Sequence, residues 1–222
     1  MAIIRSLAIG KARKSAGNLT FSTVKGRTIV REKPAFVSNP NTEKQLAQRS
    51  KMKKVVAAYR SIGSQVKDLF TVVPQYGSAY NQFVKSNIGI ADNFEIDEAT
   101  GVVKKITGMC ISNGVYPSQC FTIKVASGGV GAFVRNEQLK SEVKAGDMVF
   151  VVGTPAEGDG VPKVYSHVID ESDLVEDQPG QVYLEVKNVP NLSNVAVAWY
   201  SPATHRSSTA YVVVNNGETI NP

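Results

Sequence analysis

The spacing of apolar positions changes once along the chain, from a mixed strand-and-helix pattern before Phe94 to a strand-like pattern after it. Leu19 to Val24 and Arg27 to Arg31 are short alternating segments on either side of Lys25-Gly26, a tight-turn dipeptide, and together they predict a β-hairpin. Pro34 ends the returning strand because it has no N–H for a ladder. Asn39-Pro40-Asn41 supplies a turn, and Thr42 followed three residues later by Gln45 is a capping-box start for a helix.

The helix predicted from Glu43 onward carries two separable faces. At helical pitch Met52, Val55, Tyr59, Ile62, Val66, Leu69 and Phe70 fall within an arc of roughly 100°. Arg49, Lys53, Arg60 and Lys67 form a stripe roughly 120° from that arc, with almost no acidic residue beside it. A solvated face and a partner-binding face both fit such a stripe. Pro74 ends the run, and Ser78 caps a shorter helix that buries Tyr80, Phe83 and Val84.

Beyond Phe94, Val102–Ser112, Phe121–Ala126, Asp147–Gly153, Lys163–Ile169, Val182–Val186, Val195–Tyr200 and Thr209–Val214 read as strands. Ser127-Gly128-Gly129-Val130-Gly131 reads as a turn or bulge, since it lacks the Gly-Lys-Ser/Thr ending of a phosphate-binding loop. Ala156 to Val161 reads as an exposed hairpin tip. The expected fold class is α+β: an N-terminal β-hairpin and long amphipathic helix, followed by a mainly antiparallel β-sandwich or barrel-like portion. The expected divisions are residues 1–93 (arm, hairpin and helices), 94–178 (β-rich) and 179–222 (β-rich, separate or continuous with the preceding part).

Charge divides the chain unequally. Residues 1–70 hold 15 Lys and Arg against 3 Asp and Glu, whereas residues 71–222 hold 10 against 16. A basic third on an acidic remainder attracts either nucleic acid or the acidic part of an identical neighbour. Lys11, Arg13 and Lys14, with Gly10 and Gly17, read as a basic arm that reaches phosphates or lies across another subunit. No aromatic residue interleaves these charges, so base stacking is not indicated. Arg27 and Arg31 share one face of their strand. The acidic run Asp170, Glu171, Asp173, Glu176 and Asp177 has no calcium-loop spacing and reads as a solvated linker.

Candidate chemistry adds little. Cys110 and Cys120 match neither a zinc motif nor a redox dithiol, and buried free thiols are expected. His167 and His205 are isolated, and no serine sits in a nucleophile elbow. Ala2 to Ile9 has no signal-peptide pattern, and no apolar run approaches the roughly 18–20 residues of a bilayer span. No enzyme activity, cofactor, metal or membrane contact is therefore expected.

Gly10-Lys11, Gly17, Lys25-Gly26-Arg27, Arg31, Lys33-Pro34, Asn39-Pro40-Asn41-Thr42, Gln45, Gln48-Arg49 and Met52 resemble an uncharacterised domain family. His205-Arg206-Ser207-Ser208-Thr209-Ala210-Tyr211 adds to that likeness. The family is common in Bacteroidota and their phages, where the pattern is similar to the neck and tail ring proteins of crAss-like phages. The resemblance implies a virion structural protein, a ring or connector subunit assembled in the host cytoplasm. Its implied partners are copies of itself, the portal, other neck and tail ring proteins, and packaged DNA passing through the ring. Lys11, Arg13, Lys14, Lys25, Arg27, Arg31, Arg49, Lys53, Arg60 and Lys67 are the expected subunit-interface or DNA-facing residues. A nucleic-acid-binding module built on the basic third is the alternative, and an exported carbohydrate-binding or adhesion protein ranks behind both.

Overall fold

Strand pairing in the N-terminal part follows directly from the turn chemistry. In the computed structural model, which describes residues 2–4, 14–24, 26–36, 38–75, 77–97, 99–126, 128–174 and 182–215, the chain forms two compact units, Met1–Leu46 and Ala47–Pro222. The first unit is an antiparallel four-stranded sheet of β1 (Ala2–Ile4), β2 (Lys14–Ala16), β3 (Leu19–Val24) and β4 (Arg27–Glu32), in the order β1-β4-β3-β2. Val24 pairs with Arg27, so the strands are in the register expected of a hairpin with a two-residue turn. Gly26 has φ +78°, the left-handed conformation such a turn demands and a side chain resists. β4 stops at Glu32, ahead of Pro34.

The long helix α1 (Glu43–Val66) starts where the cap is expected, with Thr42 Oγ1 accepting the Gln45 N–H at 3.4 Å. The α-helix ends at Val66, and a 3-10 turn (Lys67–Leu69) continues it to Phe70, so the run closes four residues before Pro74. α2 (Ala79–Asn87) is capped by Ser78, whose hydroxyl accepts the Asn81 N–H at 3.2 Å. A second 3-10 turn (Ile88–Asn93) leads into a small hairpin of β5 (Glu95–Ile96) and β6 (Val103–Lys105).

The rest is strand-rich: β7 (Cys110–Ser112), β8 (Phe121–Ala126), β9 (Gly128–Val134), the short helix α3 (Glu137–Glu142), β10 (Met148–Pro155) and β11 (Lys163–Val168). After a 3-10 turn (Glu171–Leu174) come β12 (Val182–Val189), β13 (Leu192–Ser201), β14 (Arg206–Ser207), β15 (Ala210–Tyr211) and β16 (Val213–Val214). These strands build open antiparallel sheets. One runs β11-β10-β13-β14 with β16 also on β13; the others are β12-β9-β8 and β15-β7. The expected class, α+β with a hairpin, a long helix and antiparallel sheets behind them, is the architecture observed.

The period-2 alternation of β10 and β13 explains how the second unit is layered. Phe150, Val152, Ala196 and Ala198 point to one face, into a core with Val55, Ala58, Ile62 and Val66 of α1 and Phe83 of α2. Val149, Val151, Val195, Val197 and Trp199 point to the other face, into a second core with Ile123, Val130, Ala132, Leu184 and Val186. The central sheet thus has helices on one side and the β12-β9-β8 sheet on the other, and this second contact is the expected sandwich.

Three readings of the sequence are corrected here. The turn or bulge read over residues 127–131 reaches no further than Gly128, because Ala126 pairs with Gly129 and Gly128–Val134 is strand β9; an ideal side chain at Gly131 would strike the Tyr183 ring, so the glycine is where a cross-strand aromatic lies flat. Val102–Ser112 and Thr209–Val214 are each broken in two, because their halves pair with different strands. Lys14 belongs to edge strand β2, opposite Phe21, and not to an arm. Lys11, Arg13 and Lys25 lie outside the described residues. Cys110 and Cys120 are both free and buried, and burial pushes the Cys120 thiol up to about 11.

Candidate functional site: a cationic groove on helix α1

The first two turns of α1, residues 43–50, are exposed on every side, and burial begins only at Val55. Beyond those turns the helix lies on the first core, and the β5–β6 hairpin stands beside it. The gap between them is a groove of about 380 Å³ lined by Arg49, Met52, Lys53, Val56, Ala57, Arg60, Ile96 and Gly101. Met52, which helical pitch places on the buried arc, is 37% exposed and forms part of this floor. Three of the four stripe residues therefore come together at one site. Lys67 does not join them, because it lies about 10 Å further along the axis than Arg60, the last helix residue that lines the groove.

The described charges around the groove leave its rim positive. Among the described residues, three nearby carboxylates each have their own lysine: Asp92 takes Lys51 at 2.7 Å, Asp97 takes Lys104 at 3.0 Å and Glu95 takes Lys105 at 3.0 Å. Among the described residues, Lys53 and Arg60 make no ion pair, and both are exposed. The floor contributed by Met52, Val56, Ala57 and Ile96 is aliphatic. A site of this kind takes a ligand with negative charge at its edges and apolar groups between them.

The first unit carries the other expected residues. Arg27, Ile29 and Arg31 share one face of β4 by strand alternation, while Thr28 and Val30 on the opposite face are buried. Arg31 is exposed and Arg27 is half-buried. Acidic groups gather elsewhere in the second unit. Asp170 and Glu171 are exposed at the 3-10 turn after β11. Asp173 beside them turns inward, accepting the Asp170 N–H at 2.9 Å and meeting His167 Nε2 at 2.8 Å.

Three carboxylates are expected to give the fold an acid limb. The Asp170 N–H and then His167 hold Asp173 below the usual carboxylate range, Lys104 and the Ala99 N–H do the same for Asp97, and the Tyr116 hydroxyl and Arg206 for Glu142. A carboxylate whose folded pKa is depressed stabilises the fold above its unfolded value and loses that contribution as pH falls through the folded one. Urea midpoints are expected to be flat between about pH 7 and 5 and to drop below about pH 4. Asp173→Asn should flatten part of that acid limb, and a midpoint rising toward acid would contradict the assignment.

Among the described residues no three His, Cys, Asp or Glu side chains are grouped to hold a metal, and no described helix is long and apolar enough to cross a membrane. The His205–Tyr211 stretch is structural in its contacts. Ser207 Oγ donates to the Leu69 carbonyl at 2.7 Å, Ser208 Oγ accepts the Trp199 N–H at 2.9 Å, and Arg206 meets Glu142 at 2.7 Å. Sequence spacing found the cations of the groove. It missed Ile96 and Gly101, since only a tertiary contact sets that hairpin against the helix.

No curated protein and no solved structure matches the chain. A family model described as a family of unknown function, DUF6266, matches residues 10–164, which takes in the hairpin, both main helices, the groove and the strands through β10, and stops short of 205–211. On that match the chain belongs to the DUF6266 family.

Proposed function

We propose that this protein is a bacteriophage virion structural protein, a ring or connector subunit of the portal–neck–tail assembly that works by forming a homo-oligomer around the DNA conduit. The observation that carries this reading is the division of charge: 15 cations against 3 anions in residues 1–70, and an excess of anions in residues 71–222. In a closed ring every subunit offers the same two surfaces, so a complementary pair of charges repeats at each contact. The resemblance to Bacteroidota and crAss-like phage ring proteins points the same way. It supplies the expected neighbours (the portal, other neck and tail rings, and DNA in transit) and a virion location after assembly in the host cytoplasm. Such a subunit turns over no substrate.

The nucleic-acid-binding alternative draws on Lys53 and Arg60, which make no ion pair among the described residues. It expects steeply salt-dependent binding of DNA by the isolated chain. Negative-stain microscopy and sedimentation of the purified full chain separate the two readings. Annular particles whose population grows with concentration are expected. A species monomeric at every concentration that binds duplex DNA would overturn the ring reading.

A further inference from the structure

The groove on α1 and the exposed carboxylates after β11 lie on opposite sides of the central sheet. Ala57 and Ile96 of the groove pack against the core on the helical side. Ile169 and Leu174, which bracket Asp170 and Glu171, pack against the core on the other side. The β10–β13 layer stands between the two, so one chain cannot present its acidic turn to its own groove.

Resting on the ring reading, we propose that the Arg49–Met52–Lys53–Val56–Arg60 groove receives the acidic turn at Asp170 and Glu171 of a second copy of this chain. The contact is head-to-tail. Charge complementarity selects the occupant: Lys53 and Arg60 make no ion pair among the described residues, and neither do Asp170 and Glu171. The turn also has an aliphatic edge. Leu174, three residues beyond Glu171, is only half-buried, so the turn offers an apolar group beside its carboxylates as the groove offers an aliphatic floor between its cations. A single-stranded nucleic acid fits less well. Its phosphates would satisfy the rim, but Met52, Val56, Ala57 and Ile96 offer no aromatic face for a base. Because groove and turn are different surfaces, their pairing is heterologous and propagates from copy to copy until a ring closes.

The test uses two full-length variants with reversed charge at exposed positions, Lys53→Glu/Arg60→Glu and Asp170→Lys/Glu171→Lys, followed by sedimentation velocity. The wild type is expected to associate, and more weakly as salt rises. Each variant alone should lose self-association by about tenfold or more, because its groove and its turn then carry the same sign. Mixed in equal amounts, the two variants should recover assembly, since the reversed groove of one meets the reversed turn of the other. Assembly unchanged in both variants would overturn the groove assignment and leave the ring reading standing. A wild type monomeric at all concentrations would overturn both. Loss in each variant without recovery on mixing would show that the two patches meet other partners, and would overturn the pairing.

Discussion

Replacing Asn87 by Leu is expected to lower the stability of the second unit by about 3 kcal/mol or more, a fall in melting temperature on the order of 10 °C. Asn87 is the last residue of α2 and is fully buried. Its amide does for β7 what a neighbouring strand would do. Oδ1 accepts the Cys110 N–H at 2.8 Å, and Nδ2 donates to the Cys110 carbonyl at 2.9 Å and to the Phe83 carbonyl at 3.0 Å. Leucine is of similar size but leaves the Cys110 N–H and carbonyl buried without that partner, at about 1–3 kcal/mol for each such group. Asn81→Leu, on an exposed position of the same helix, is the control and should stay within about 0.5 kcal/mol. Trp199, the only tryptophan and fully buried, reports unfolding by its fluorescence. An Asn87→Leu variant as stable as the wild type would show that water or a rearranged strand end satisfies Cys110 just as well.

Asn87 also shows where the sequence stops being informative. Read locally, an asparagine two residues before Gly89 closes a helix, and it does stand at the helix end. That its side chain turns inward depends on Cys110, which no local pattern links to it. The elements legible from the sequence are those fixed by neighbours in the chain: the Lys25-Gly26 hairpin, the Thr42 and Ser78 caps, and the alternating faces of β10 and β13. Those missed are decided at long range. β9 is hidden because its glycines blur the alternation, and the aromatic that fills the space comes from β12. The same division holds at the groove. Helical spacing gathers Arg49, Lys53 and Arg60, whereas the opposite wall needs the β5–β6 pairing, and the removal of rival charge needs Lys104 and Lys105 to reach Asp97 and Glu95.

A second large effect is expected at Gly114, where the turn after β7 meets the chain just beyond β13. A methyl group added there would overlap the carbonyl oxygen and carbon of Ser207, both backbone atoms that cannot swing aside. That carbonyl is already engaged, accepting the Val115 N–H at 2.9 Å. Ser207 in turn ties the end of the helical run to the sheet: its hydroxyl donates to the Leu69 carbonyl at 2.7 Å and lies 2.9 Å from Thr71 Oγ1. Ser112 reaches the same Leu69 carbonyl at 3.0 Å. Gly114→Ala must therefore push the Ser207 backbone away and loosen the clasp between helices and central sheet, with an expected loss of about 3 kcal/mol or more. Gly89→Ala is the matching control, since nothing lies within 4 Å of a side chain there and its φ is not positive. It should be neutral or stabilising by about 0.4–1 kcal/mol through the unfolded chain. Urea titrations of both variants against the wild type check the contrast, and equal midpoints for Gly114→Ala and Gly89→Ala would mean that the clasp yields without cost.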